Sequence, residues 1–60
     1  MKDKIKNGYF FECNNVMWMR VGSRCYMLPT VNGKLYHEMF KNIEESKITK
    51  VFKPNGERII

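Results

Sequence analysis

The side chains able to do chemistry are few and scattered. His37 is the single histidine, and Cys13 and Cys25 are the two thiols. A zinc site would need a second histidine or a Cys-x-x-Cys pair, and neither is present. Paired acid/base carboxylates are equally hard to find. Asp3 falls in a polar terminal stretch, and Glu44 and Glu45 are consecutive, so on a helical turn their side chains diverge. Neither thiol has a base beside it in sequence, Ser23 falls in a turn, and no glycine-rich phosphate loop occurs. The expectation is a protein that is not an enzyme, with no catalytic residue, no cofactor and no metal.

What remains is recognition chemistry. Eleven Lys and Arg stand against six Asp and Glu, and the net charge of +5 would attract phosphate backbones or an acidic protein surface. Six of the eleven fall in the second half. Lys34, Lys47, Lys50, Lys53 and Arg58, with Tyr36 and Phe52 to stack bases, form a candidate nucleic-acid set to which Lys41 adds charge. No ribonucleoprotein aromatic motif or helix-turn-helix spacing supports it. The bland alternative is compositional. Lysine, asparagine and isoleucine rise together under AT-rich coding, and a lysine rim also solubilises a small sheet and blunts its edges.

The elements that must position these groups are short. Gly8–Cys13, Val16–Val21 and Arg24–Leu28 are aromatic-rich, strand-like runs separated by Asn14-Asn15 and Gly22-Ser23. Asn-Asn suits the positive φ of a type I′ turn, and glycine first in the pair suits type II′. Pro29 removes a donor and bends the third strand or leaves it at an edge. Thr30-Val31 resumes an extended run to Asn32-Gly33, a strong hairpin signal that returns Lys34–His37 as a fourth strand. Between Glu38 and Lys47 the apolar spacing of Tyr36, Phe40 and Ile43 changes to fours and threes, which predicts one or two helical or 3₁₀ turns with a packed stripe. Ile48–Lys53 is a fifth strand, and after Asn55-Gly56 the tail Glu57–Ile60 folds back as a short sixth. Lys2–Asn7 is polar, and residues 1–6 are expected to fray, with Ile5 alone packing.

Gly8 opening the first strand, the bent run Arg24 to Val31, and Ile48-x-x-Val51 before Pro54 make the chain resemble the SH3-like small barrel. In particular it is similar to the short basic SH3-like proteins of phages and mobile elements. The resemblance implies a mostly β single domain over residues 1–60. Five antiparallel strands would form the barrel, with one short helical or 3₁₀ turn before the last. Such barrels bind peptides, nucleic acids or enzymes to be inhibited, so the fold narrows function little.

Hairpin register has two consequences. Cys13 faces Val16 and Cys25 faces Arg20, placing the thiols about four residues or ~13 Å apart along the sheet. A disulfide needs Cα atoms within about 7 Å, so two free thiols and a reducing compartment are expected. The same register puts Tyr9, Phe11, Cys13, Val16, Trp18, Cys25 and Met27 on one face with Arg20. The other face carries Phe10, Met17, Met19, Val21, Tyr26 and Leu28 with Glu12 and Arg24. Both faces are mostly apolar, unlike an ordinary half-exposed sheet.

Three readings of the second face stand side by side: cover by the 38–47 turns and Ile59-Ile60, a protein partner, or self-association into a homo-oligomer. A partner surface would be built on Met17, Met19, Tyr26, Trp18 and Arg24, because methionines repack easily and Trp, Tyr and Arg dominate binding energy. Trp18 also reads as the largest core filler, and methionine as ordinary core. The leading expectation is therefore a phage-type binding module docking to a host or viral protein, with a small nucleic-acid-binding barrel as the alternative. Glu12, Asn14 and Asn15 break the apolar run that a signal peptide would need, and nowhere do ~18 apolar residues run together. No membrane is expected, and the expected address is the cytoplasm.

Overall fold

Two-residue turns decide the first half of the molecule. Asn14 and Asn15 both take positive φ, 54° and 62°, and Gly22 takes 61°, so each turn carries the twist that lets its flanking strands pair without splaying. Strands β1 (Phe10–Cys13), β2 (Val16–Val21) and β3 (Arg24–Leu28) follow as a meander. Cys13 stands opposite Val16, Phe11 opposite Trp18 and Arg20 opposite Cys25, the register that the turns predict. The computed structural model describes residues 1–30 and 32–60, so the extended run expected at Val31 lies outside the described residues.

β3 ends at Leu28, before Pro29 and across a cis Leu28–Pro29 bond. Asn32 and Gly33 turn with φ of 53° and 72°, yet the expected strand Lys34–His37 is displaced. β4 is His37–Met39 and pairs with the far end of β3, Tyr26 opposite His37 and Arg24 opposite Met39. The pairing is carried by the first three residues of β3, and Met27 N–H extends it to Tyr36 O at 2.8 Å.

Two 3₁₀ turns precede the last strand, Phe40–Asn42 and Glu45–Lys47, within the one or two turns that the spacing predicts, though the resemblance implies a single one. Phe40 and Ile43 are buried as the stripe requires, but Tyr36 is 45% exposed and lies outside it. β5 (Ile48–Phe52) then pairs antiparallel with β1, with a register irregularity between Glu12 and Cys13. The tail makes one bridge, Phe52 to Arg58, rather than a sixth strand. Its backbone still covers the outer edge of β5, with Val51 donating to Ile60 O (3.2 Å) and Lys53 to Glu57 O (2.8 Å).

The result is a mostly β molecule with five antiparallel strands in one sheet, ordered β4-β3-β2-β1-β5. The sheet is open, with β4 and β5 as its two edges, and the expected barrel closure is not seen. One face packs the core of Ile5, Phe11, Cys13, Cys25, Phe40, Ile43, Ile48 and Val51, joined by Tyr9, Trp18 and Ile60.

Residues 1–6, expected to fray, form part of that cover. Lys2–Lys4 is a 3₁₀ turn, and Ile5 is 0% exposed. The Arg20 guanidinium donates to Ile5 O at 2.6 Å and to Gly22 O at 2.8 Å, and stacks 4.1 Å from the Phe40 ring centroid. From the opposite chain segment, Lys2 Nζ donates to Ile43 O (2.9 Å) and stands 4.9 Å from the same ring. Two cations thus tie the amino-terminal turn and the Phe40 turn to one end of the sheet.

Candidate binding face

The side chains that alternate with the core project to the opposite, outer face. Register aligns Phe52, Phe10, Met19, Tyr26 and His37 in one row across all five strands. Beside it run Lys50, Glu12, Met17 and Leu28, and on the other flank Val21, Arg24 and Met39. The apolar members of the first two rows are half-buried by one another, and Val21 is exposed. At the β4 end the Tyr26 and His37 rings lie 5.8 Å apart, tilted by 51°.

The row is not flat. Phe10, Met17, Leu28, Phe52 and Gly56 line a wholly apolar depression of about 280 Å³. A second, of about 400 Å³, continues past Met17 and Leu28 towards Asn15 and Pro29, with Glu12 at its side. It also reaches Val16 and Met27 at the end of the sheet, and the two depressions adjoin through Met17 and Leu28.

The electrostatics of the face are one-sided. Glu12 is the only carboxylate that register places here among the described residues, and its Oε1 accepts from Thr49 Oγ1 at 2.6 Å. Lys50, its cross-strand neighbour, makes no ion pair among the described residues, and neither does Arg24. Arg58, bridged to Phe52, donates Nε–H to Ile60 O at 2.9 Å. Lys50 and Arg58 therefore flank Phe52 on β5, and Arg24 sits at the far side.

Of the residues singled out for a protein partner, Met17, Met19, Tyr26 and Arg24 come together on this face. Trp18 does not. It projects to the core side, nearly parallel to Phe11 at 6.4 Å, with its indole N–H buried and without an acceptor among the described residues. The nucleic-acid set is divided. Lys50, Phe52 and Arg58 share the outer face, whereas Lys53 pairs with Glu57 at 3.6 Å, Lys47 lies in a 3₁₀ turn, and Lys34 and Tyr36 lie between the Asn32-Gly33 turn and β4. The missed neighbours are Phe52 and Lys50 beside Phe10 and Glu12. They arrive through the β1–β5 pairing, for which the sequence carries no local signal.

The thiols stay on the core side, unbonded and buried. Burial, and then the Glu38 and Cys13 charges, push the Cys25 thiol up to about 11; burial and Glu44 raise Cys13. Such thiols are poor nucleophiles at neutral pH. Among the described residues no three His, Cys, Asp or Glu side chains cluster so as to hold a metal ion, and no helix is long and apolar enough to cross a membrane. Compared with known proteins, the chain matches no family model, no curated protein and no solved structure.

Proposed function

We propose that this chain is a non-catalytic binding module that docks to a protein through its outer sheet face. On this reading it is a small SH3-like protein of the phage or mobile-element type that acts in a reducing, cytoplasmic setting. The observation that carries the proposal is the row Phe52, Phe10, Met19, Tyr26 and His37. It crosses every strand, and the elements that cover a sheet in this molecule, the 3₁₀ turns and Ile5, are packed on the other side. Large apolar side chains left together in this way mark interaction sites in soluble proteins. The methionines suit a surface that adapts to its partner.

A second reading has one observation in its favour. Lys50, Phe52 and Arg58 stand together beside Phe10, which is the pairing of cations and aromatic rings that holds single-stranded nucleic acid. Salt separates the two, because phosphate contacts weaken steeply as salt rises and apolar protein contacts do not. The test is capture from nuclease-treated host lysate by the parent protein and by Met19→Glu. The expected outcome is a protein retained by the parent at high salt and lost with Met19→Glu. Equal capture by both proteins would overturn the docking reading. Retention of an oligothymidine probe that disappears with salt would install the second reading in its place.

A further inference from the structure

Resting on that reading, we propose that the occupant of the outer face is an acidic protein segment. It would seat one large apolar side chain between Phe10, Met17, Leu28 and Phe52 and set its carboxylates against Lys50 and Arg58. Three observations on the face select this chemistry.

The first is the lining of the depression. It is apolar throughout, which matches an aliphatic or aromatic side chain with no donor or acceptor to satisfy. The second is the charge around it. Lys50 and Arg58 border Phe52, Arg24 stands beyond Tyr26, and the one carboxylate that register places here, Glu12, is hydrogen-bonded by Thr49 and leaves three cations against one anion. The other acidic groups with contacts are turned elsewhere: Asp3 and Glu45 to the amino terminus, Glu57 to Lys53, and Glu38 to Asn42 and its own neighbour. Cations in excess of carboxylates next to an apolar depression are complementary to a ligand that brings both carboxylates and an apolar anchor.

The third observation concerns the rival occupant, a second copy of this chain. Joining two outer faces would bring Lys50, Arg58 and Arg24 of each copy together, on molecules that each carry a net charge of +5. The like charges oppose that pairing and favour an acidic partner.

The probe is a displayed library of random dodecapeptides selected on the immobilised full-length chain, followed by fluorescence anisotropy of labelled enriched peptides. Enriched peptides are expected to carry Asp or Glu around a Phe, Trp, Leu or Met. Phe10→Ala should weaken their binding by more than about tenfold, as loss of a central anchor does. Lys50→Glu combined with Arg58→Glu should weaken it by roughly tenfold, much of it in the association rate.

Circular dichroism of each variant establishes that the sheet is intact. Should Phe10→Ala unfold, Met17→Thr gives the same readout on the other wall. Enriched peptides without acidic residues, lost with Phe10→Ala yet indifferent to the charge reversals, would overturn the acidic segment and leave docking by this face standing. Acidic peptides whose binding ignores both sets of variants would overturn docking itself. So would a parent protein that sediments as a dimer released by Met19→Glu, or one that binds oligothymidine at the face more tightly than any selected peptide.

Discussion

The two faces of one sheet have nearly the same composition and opposite fates. The core face presents Phe11, Trp18, Val51 and Cys25, and is closed by Ile5, Phe40, Ile43 and Ile60. The outer face presents Phe10, Phe52, Met17, Met19, Tyr26 and Leu28, and the elements flanking the sheet leave it open. Hydrophobicity alone therefore does not decide which face of a thin sheet becomes the core. The choice is made by the flanking segments and by the polar groups that fasten them. Arg20 is the charge that the meander places on the core face, and it bonds Ile5 O while stacking on Phe40, so that one side chain ties the sheet to both covering segments.

The sharpest way to break the comparison is to truncate equivalent phenylalanines on the two faces. Phe11→Ala leaves a void with Trp18 and Phe40 on its walls and should cost about 3–5 kcal/mol. A domain of this size commonly holds no more than about 3–5 kcal/mol, so the variant is expected to be unfolded by circular dichroism. Phe10→Ala, one residue away, removes cross-strand contacts from a half-solvated row and should cost about 1 kcal/mol with the sheet retained. Equal losses in urea titrations would mean that the outer face is as much a core as the inner.

That neighbouring residues fall on opposite sides was legible in the sequence because Asn14-Asn15 and Gly22-Ser23 fix the register locally. Every pairing from Phe10 to Leu28 follows from counting outwards from those turns. Contacts between distant segments were not legible. The β1–β5 ladder joins residues some forty positions apart, and nothing in Lys50 or Phe52 names Glu12 or Phe10 as its neighbour. Ile5 is expected to pack as the lone apolar residue of a polar tail, but the bonds that fasten its segment, Arg20 to Ile5 O and Lys2 to Ile43 O, are contacts that sequence cannot place. Closure of the barrel that the resemblance implies is not seen, for a related reason. Closure depends on the two edges meeting, and here the tail pairs with β5 while β4 is only three residues long.

The fastening of the cover should be the next largest effect. Arg20→Ala removes a charged hydrogen bond to Ile5 O and a cation from the Phe40 ring, for an expected loss of about 2 kcal/mol. Arg20→Lys should recover only part of it, since an ammonium lacks the planar fork that reaches Ile5 O and Gly22 O together. Full recovery in urea unfolding would reduce Arg20 to a point charge.

A smaller and more selective effect lies in the thiol beneath the core. Burial is the main cause holding Cys25 protonated up to about 11, against the ordinary 9.0. A thiol whose proton is bound more tightly in the fold contributes its full stability below pH 9.0, and that contribution is lost as pH rises towards about 11. Unfolding free energy should decline across this window in the parent and decline less in Cys25→Ala, both measured in reductant. Identical slopes would show that other groups govern the alkaline limb.

Met19→Glu should have the smallest effect on the isolated chain, and it tests the comparison most directly. Met19 stands at the centre of the outer row, between Phe10 and Tyr26. The substitution forfeits two cross-strand apolar contacts, worth roughly 0.2–1 kcal/mol each. The carboxylate itself stays hydrated, so no burial penalty is added. Both contacts are already shared with solvent, which keeps the expected loss within about 1 kcal/mol. Placed on the core face, the same charge would cost several kcal/mol, because an unpaired ion would have to leave water. Unfolding in urea at two widely separated protein concentrations distinguishes the cases. If the face is open in the free protein, the loss is small and independent of concentration. If another copy covers it, the loss is large and the parent's midpoint rises with concentration, as mass action requires.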